Sequence, residues 1–302
     1  MKKTEKIING ALFCLIMMFM LSCTEPITLD MPEGRRVPVV EGGITNEFKR
    51  HEIILSYSSD IYSQEKEMIT DAEVYVVNNN DTIFFHEDLE NPGHYLTDSI
   101  AGKKRHRYHL SVYVENNTLF NKPLRMYADA TMPNNIKEED FDSLGLLPWR
   151  DEDGIPFVDD NAAVCACPYF QTLSDTSIVY NVELFLNGKR FKNRPSQLFQ
   201  LLPMSSYAGK YFNGPEMLNG KREVSVGIFN KSYLRNGSKI KVRLCSVSKE
   251  YRYYLISQKL SVGANPLMGA YQSIVTNIFS NCDAVGWFSA LSVVEKEAVY
   301  HE

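Results

Sequence analysis

The sequence predicts a mainly β protein with two β-sandwich domains, the second of which carries a helical insertion. Two observations favour this fold. From Val37 onward, short segments rich in β-branched and aromatic residues recur at intervals of roughly ten residues, separated by Asn, Gly, Asp and Pro. Several segments also alternate apolar with polar residues, as strands do when only one face is buried.

The first sandwich is predicted at residues 37–133. Asn78-Asn79-Asn80-Asp81 and Pro92-Gly93 predict tight turns between strands. Apolar residues occupy alternate positions in 107–115, so this strand is expected to cover a core on one side. Seven short strands fit a sandwich of the immunoglobulin or transthyretin-like kind. They are predicted at residues 39–45, 52–58, 73–78, 82–86, 94–98, 107–115 and 123–131.

Residues 134–163 interrupt the β pattern and are predicted to be an acidic interdomain linker. They contain nine acidic residues together with Pro148 and Pro156. Asp151-Glu152-Asp153-Gly154, with Asp159 and Asp160 nearby, has the carboxylates and the tight turn that suit calcium. An EF-hand would need a third oxygen ligand before the Gly and a bidentate Glu after it, and both are absent. We therefore predict no metal site.

The second domain is predicted at residues 164–302. Asn187-Gly188 predicts a hairpin with a type I′ turn. Ser248 is a suitable N-cap for a helix that carries apolar residues at helical spacing. Further strands are predicted at residues 178–186, 223–229, 239–247 and 285–294.

The N-terminus has the three parts of a secretory signal. Lys2, Lys3 and Lys6 precede an uncharged apolar run at residues 11–21, which is about half the roughly 20 residues that a transmembrane helix needs. Met20-Leu21-Ser22-Cys23 resembles the lipobox of bacterial lipoproteins. This resemblance implies cleavage after residue 22, lipid attachment at Cys23, and a tether at residues 23–36. The lipoprotein resemblance also implies the outer membrane, because residue 24 is Thr and not the Asp that retains many such lipoproteins in the inner membrane.

The composition argues against nucleic-acid binding. Removing residues 1–22 changes the formal charge from −5 to −7, and a net acidic chain is poorly suited to nucleic acid or anionic lipid. No later segment is long and apolar enough to span a bilayer. The membrane contact we predict is therefore the lipid anchor.

Four cysteines follow Cys23 and are candidates for disulfide bonds. An even number of cysteines outside the cytoplasm permits disulfides with three connectivities, and buried thiols are the alternative. Cys165-Ala166-Cys167 lacks the spacing and the histidines of a zinc site. The four candidates are Cys165, Cys167, Cys245 and Cys282.

Several segments resemble the uncharacterised Bacteroidetes outer-membrane lipoproteins called domain-of-unknown-function family forty-two forty-nine. The matching segments are Val39 to Asn46, Asp71-Ala72-Glu73-Val74, Tyr108-x-Leu110-x-Val112, Asn277-Ile278 and Gly286-Trp287-Phe288-Ser289. The turn at Gly93-His94-Tyr95 also resembles carboxypeptidase-regulatory, transthyretin-like modules. The resemblance implies a cell-envelope lipoprotein found alongside TonB-dependent receptors. The Gly42-Gly43 pair departs from the family pattern, in which an aromatic residue often follows the first Gly.

Four common motifs of catalysis and cofactor binding are absent from the sequence. It lacks Gly-x-Ser-x-Gly, His-Glu-x-x-His, a phosphate-binding loop and a dinucleotide fingerprint. His106 and His109 could approach each other, although histidines on a sheet surface are the simpler interpretation. We predict no enzyme activity and no cofactor.

Two features point to surface interactions or modification. Lys103-Lys104-Arg105-His106-Arg107 is a basic cluster that could contact an anionic partner, or could be a solvated hairpin tip. Three Asp-Ser/Thr-aliphatic triplets resemble a short O-glycosylation signal at Thr82, Ser99 and Ser143. The leading hypothesis is a binding or accessory lipoprotein of a TonB-dependent uptake system. The alternative is a fimbrillin-like structural or adhesive subunit, with Arg35-Arg36 as a protease site.

Overall fold

The computed structural model describes residues 36–59, 66–79, 81–117, 119–148, 163–191, 200–213, 228–263 and 274–301. Within these ranges the chain is mainly β, with one α-helix and two 3₁₀ turns, at Glu138–Asp140 and Lys231–Tyr233. The prediction of a mainly β, sandwich-like protein with a single helical insertion is confirmed.

The seven strands predicted in the first half of the chain are confirmed, with small shifts at their ends. Alternation of buried and exposed residues is clearest in the sixth, where Tyr108, Leu110 and Val112 are buried while Arg107 and His109 are exposed. The strands are β1 (Pro38–Thr45), β2 (Glu52–Tyr57), β3 (Ala72–Asn78), β4 (Asp81–Glu87), β5 (His94–Leu96), β6 (Arg107–Val114) and β7 (Leu124–Thr131).

The second half contains the predicted hairpin and helix. Asn187 and Gly188 have φ angles of 51° and 79°, as a type I′ turn requires. Helix α1 (Lys249–Gly263) begins after Ser248, whose Oγ accepts a hydrogen bond from the N–H of Tyr251 at 3.1 Å. The predicted strand 223–229 lies mostly outside the described residues. The strands are β8 (Ser143–Pro148), β9 (Ala163–Gln171), β10 (Val179–Leu186), β11 (Lys189–Phe191), β12 (Gln200–Pro203), β13 (Tyr211–Asn213), β14 (Ile228–Asn230), β15 (Lys239–Val247), β16 (Ile278–Ser280) and β17 (Val285–Val299).

Most of these strands form one large sheet. Its order is β11-β10-β15-β17-β1-β2-β5-β4-β3-β6-β7-β16, with β12 also paired to β10. Strand β17 pairs in parallel with β1 and antiparallel with β15. It therefore connects the strands of the first half of the chain to those of the second half. A second sheet is formed by β9 with β8, β13 and β14.

Glycines allow the backbones of β1, β2 and β17 to approach closely. A Cβ atom at Gly286, where φ is +106°, would lie 2.0 Å from the carbonyl oxygen of Val40. A Cβ at Gly43 would lie equally close to the carbonyl oxygen of Ser289. The aromatic residue that the family resemblance would place after the first Gly therefore has no room at Gly43 in this packing.

The buried apolar side chains form two main clusters. One lies among the first seven strands but also contains Ile278, Phe288 and Ala290 from the C-terminal end. The other lies among β9, β10 and β15 and also contains Phe141 and Leu144. Each core therefore includes residues from outside the range predicted for its domain, which was 37–133 for the first and 164–302 for the second.

The first part of the predicted linker is folded, which corrects the interpretation of 134–163 as a linker. Residues 143–148 form β8, and Ile136 and Phe141 are buried in the second core. Asn135 is buried and donates from Nδ2 to the carbonyl oxygen of Ser292 at 2.7 Å. The acidic side chains at 138–140 occupy a 3₁₀ turn between buried apolar residues, so acidic composition alone was a poor guide here.

Candidate functional site

A line of aromatic side chains crosses the outer face of the sheet formed by β4, β3, β6, β7 and β16. Cross-strand pairing places Phe84 opposite Tyr75, Tyr75 opposite Ser111, Ser111 opposite Tyr127, and Tyr127 opposite Phe279. We call Phe84, Tyr75, Tyr127 and Phe279 the aromatic row; Ser111 lies at its centre. With neighbouring strands about 4.8 Å apart, the row extends over roughly 19 Å.

The row faces solvent because the alternate residues of each strand fill the first core. Val74, Phe85, Leu110, Ala128 and Ile278 are buried on the other side of the same strands. The exposed fraction is 54% for Phe84, 39% for Tyr127 and 68% for Phe279. Large aromatic side chains at this exposure on adjoining strands form a contact surface that the fold itself does not use.

Ring contacts hold parts of this surface in place. The rings of Tyr75 and Phe84 are tilted with centroids 6.2 Å apart, and His109 stacks on Tyr127 at 6.1 Å. The guanidinium of Arg125 lies 5.4 Å from the ring centroid of Tyr113. These two residues form the next outward-facing cross-strand pair after Ser111 and Tyr127.

Polar groups border the row on the side of His109. Arg107 and His109 both contact the carboxylate of Asp129, Arg107 through Nη2 at 3.0 Å and His109 through Nδ1 at 3.0 Å. Partial burial acts to raise the pKa of Asp129, but hydrogen bonds from Arg107 and His109 outweigh it and hold the pKa below its usual value. Asp129 therefore remains ionised beside the row at neutral pH.

Two asparagines fix β16, which supplies Phe279. Asn277 donates from Nδ2 to the carbonyl oxygens of Asp129 at 3.1 Å and Phe288 at 2.9 Å. Asn281 accepts from the N–H of Arg125 at 3.1 Å through Oδ1. These bonds attach a three-residue strand firmly enough to present an exposed ring.

An open cavity of about 510 Å³ lies elsewhere, near Arg105, Asn134 and Asp175. Arg105 has a φ of +66°, and its N–H donates to the carbonyl oxygen of Met132 at 2.8 Å. Hydrogen bonds from the hydroxyl and the N–H of Ser177 hold the pKa of Asp175 below its usual value. An already stabilised carboxylate is poorly matched to general acid-base catalysis near pH 7.

The family described as "Domain of unknown function (DUF4249)" matches residues 24–297 of the chain. The chain belongs to this family. The resemblance to this family is therefore confirmed, while the Bacteroidetes origin and the transthyretin-like N-terminal module stay predictions. No curated protein matches the chain.

In this DUF4249 protein the predicted basic cluster is divided by internal contacts. Lys104 donates from Nζ to the carbonyl oxygen of Ile136 at 3.1 Å, and His106 contacts Asn78 at 3.0 Å. Arg107 pairs with Asp129. Lys103 and Arg105 are exposed, and no ion pair involves them among the described residues. His106 and His109 thus have separate hydrogen-bond partners, Asn78 and Asp129.

The three predicted glycosylation positions are exposed. Thr82 lies on β4 beside the aromatic row, Ser99 precedes the bridge at Ile100, and Ser143 begins β8. Exposure makes them accessible to modification, which itself stays a prediction.

The four predicted disulfide cysteines of the DUF4249 chain are not bonded to one another in the structure. Cys165 and Cys167 are buried two positions apart on one strand, Cys245 is buried on β15, and Cys282 is half-buried. An even number of cysteines therefore did not predict their pairing.

Two of the sequence predictions fall on residues that the structure does not describe. Cys23 and the acidic residues 151–160 lie outside the described residues. Among the described residues, no group of three or more His, Cys, Asp or Glu side chains is arranged to hold a metal ion. The helix within these ranges is also too short or too polar to cross a membrane.

The aromatic row is the feature that sequence analysis missed. Alternation in β6 showed which of its residues point away from the core, but Tyr127 and Phe279 lie on other strands, far apart in the sequence. Only the pairing of β16 with β7 brings them together. The signal in the sequence was the aromatic residues at outward-facing positions of several predicted strands.

Proposed function

We propose that this protein is a cell-envelope lipoprotein, anchored to the outer membrane through Cys23, that acts as a non-enzymatic binding or accessory component of a TonB-dependent uptake system. The aromatic row is the observation that carries the binding role. It is a solvent-exposed surface supported by a rigid sheet, and such surfaces on monomers commonly serve recognition.

The titratable groups also favour binding over catalysis. The groups with strongly raised pKa values, such as Tyr95 and Cys245, do not line the open cavity. Catalytic groups with perturbed pKa values usually converge in a cleft. The described residues offer instead a flat surface of aromatic rings bordered by paired charges.

Family membership and the N-terminus support the location. The DUF4249 match begins at residue 24, directly after the predicted lipid-bearing cysteine. Two or more acyl chains on Cys23 would hold the protein stably, at about 0.8 kcal/mol per buried methylene. Lys103 and Arg105 are the exposed charges through which we expect the protein to contact its receptor.

Co-purification tests this proposal. Tagged protein is extracted from outer membranes in a mild detergent and purified by its tag, and the accompanying proteins are identified by mass spectrometry. We expect a TonB-dependent receptor to be recovered repeatedly. The double variant K103E/R105E should recover less receptor, because it reverses both exposed charges.

The matched control is K189E/K231E, which reverses two exposed lysines elsewhere on the surface. It should recover as much receptor as the unaltered protein. Recovery of the lipoprotein alone, under conditions that preserve other receptor-lipoprotein pairs, would contradict the proposal. A ladder of polymers on gels would favour a structural subunit instead.

A further inference from the structure

The aromatic row is too small to serve alone as a protein interface. A whole aromatic side chain offers about 150–250 Å². Phe84, Tyr127 and Phe279, at 54%, 39% and 68% exposure, therefore present on the order of 300 Å² together. A stable protein interface buries about 800 Å² on each partner. The area suits a short ligand better than a folded partner or a second copy of this chain.

The charges around the row are balanced. Glu73 and Asp129 are negative, Arg107 and Arg125 are positive, and all four lie on the outward face of β3, β6 or β7. Asp129 and Arg107 already neutralise each other at 3.0 Å. A polyanion or a polycation would find no net attraction here, so the surface favours a neutral ligand.

The pattern of apolar and polar groups matches a ligand with apolar faces and hydroxylated edges. Aromatic faces carry negative quadrupole charge and attract the polarised C–H groups of a ring. On one side of the row lie Thr82, Val77, His109 and Asp129, and on the other Glu73, Tyr113 and Arg125. The polar members of both flanks can exchange hydrogen bonds with hydroxyl groups.

We propose that the aromatic row binds a neutral linear oligosaccharide that lies across the strands, with sugar rings packed on Phe84, Tyr75, Tyr127 and Phe279. This inference rests on the proposed binding function and names the class of its ligand. Short Ser111 divides the row into two aromatic pairs roughly 10 Å apart between Tyr75 and Tyr127, so the saccharide bridges two stacking positions.

The test uses the full mature protein in a sugar-free detergent. Neutral linear tetrasaccharides of glucose, xylose, mannose and galactose are the probes, and a tetrasaccharide of galacturonic acid is the charged comparison. Saturation-transfer NMR detects contact with each sugar, and titration gives Kd. We expect at least one neutral probe to bind and the charged one to bind much more weakly.

Variants then locate the site. F84A, Y127A and F279A should each weaken binding roughly tenfold, since each removes one stacking surface. F48A and Y253A are the matched controls, because Phe48 and Tyr253 are 77% and 53% exposed but lie outside the row. These controls should leave Kd unchanged.

Three outcomes would overturn the inference: no neutral probe binds, the controls weaken binding as much as the row variants, or the charged probe binds best. Receptor recovery in the co-purification test is measured separately on the same variants. Receptor recovery without saccharide binding leaves the proposed function standing and removes this ligand class. Loss of receptor recovery in F84A and F279A, with no saccharide binding, would assign the row to a protein partner instead.

Discussion

The side-chain amide of Asn46 hydrogen-bonds both backbone groups of Val293, donating from Nδ2 to the carbonyl oxygen at 3.0 Å and accepting from the N–H at 2.5 Å through Oδ1. Asn46 follows the last residue of β1, so its side chain continues the β1–β17 pairing beyond the end of the strand. Since Val293 is buried, its backbone groups depend on this partner.

The variant N46A should lower the free energy of unfolding by about 2 kcal/mol, because it leaves the buried N–H and C=O of Val293 without partners. Urea denaturation followed by circular dichroism measures the change. The control is N116A, at an exposed asparagine, which should change stability by less than about 0.5 kcal/mol. Equal stability of the two variants would contradict the role of Asn46.

Close packing of β1 and β17 predicts that the variant G286A strongly lowers the free energy of unfolding. The added Cβ would lie 2.0 Å from the carbonyl oxygen of Val40, in a backbone conformation with φ of +106°. We expect the free energy of unfolding to fall by about 3 kcal/mol or more. G188A shares a positive φ of 79° but has open space around its Cβ, so it should cost only about 1 kcal/mol. Similar thermal denaturation midpoints for both variants would show that the contact with Val40 is unimportant.

The surroundings of His51 predict that the folded protein loses stability in acid. Its Nε2–H donates to the carbonyl oxygen of Ile100 at 3.0 Å, and its Nδ1 accepts from the N–H of Thr45. Burial lowers the pKa of His51 below its ordinary value of 6.5. The unfolded chain therefore takes up a proton near pH 6.5 that the folded chain still excludes. Stability is retained above that pH and falls as the pH drops through and below it.

The measurement for His51 is the free energy of unfolding between pH 7.5 and pH 5. The variant H51Q should show a shallower decline than the unaltered protein over this window, although its stability at pH 7.5 is lower. H86Q, at an exposed position, should keep the original slope. An unchanged slope in H51Q would assign the acid sensitivity to other groups.

Strand prediction was most secure where apolar and polar residues alternate. In β6, alternation identified both the strand and its buried face. Strand β9 contains the continuous apolar run Val164 to Pro168, which has no period-two pattern, and β8 lies within an acidic stretch that resembled a linker. Strand β16 has only three residues, and its pairing with β7 depends on long-range packing. The candidate site depends on this pairing, so its aromatic residues are visible in the sequence but their arrangement is not.

The different burial of the four cysteines predicts that a thiol reagent labels them at different rates. Cys165, Cys167 and Cys245 are buried, and burial raises the pKa of the Cys245 thiol. Cys282 lies two residues after β16 and is half-buried at the edge of the first core. Brief alkylation of the native protein should modify Cys282 far faster than the other three, as mapped by peptide mass spectrometry. Labelling after unfolding without reductant should reach all four, and C282S should remove the fast phase. A pair of cysteines that reacts only after reduction would restore a disulfide.

The lipid anchor predicts that Cys23 alone determines membrane attachment. The variant C23S removes the thiol to which the diacylglycerol would be joined, and the predicted mature chain has no apolar segment long enough to replace it. We therefore expect C23S to partition into the aqueous phase of a detergent phase-separation assay, or to accumulate as uncleaved precursor, with no incorporation of labelled palmitate. C282S is the matched control because it replaces a different cysteine in the same way, and it should partition and incorporate label like the unaltered protein. Detergent-phase partitioning of fully cleaved C23S would show that another feature attaches the protein to the membrane.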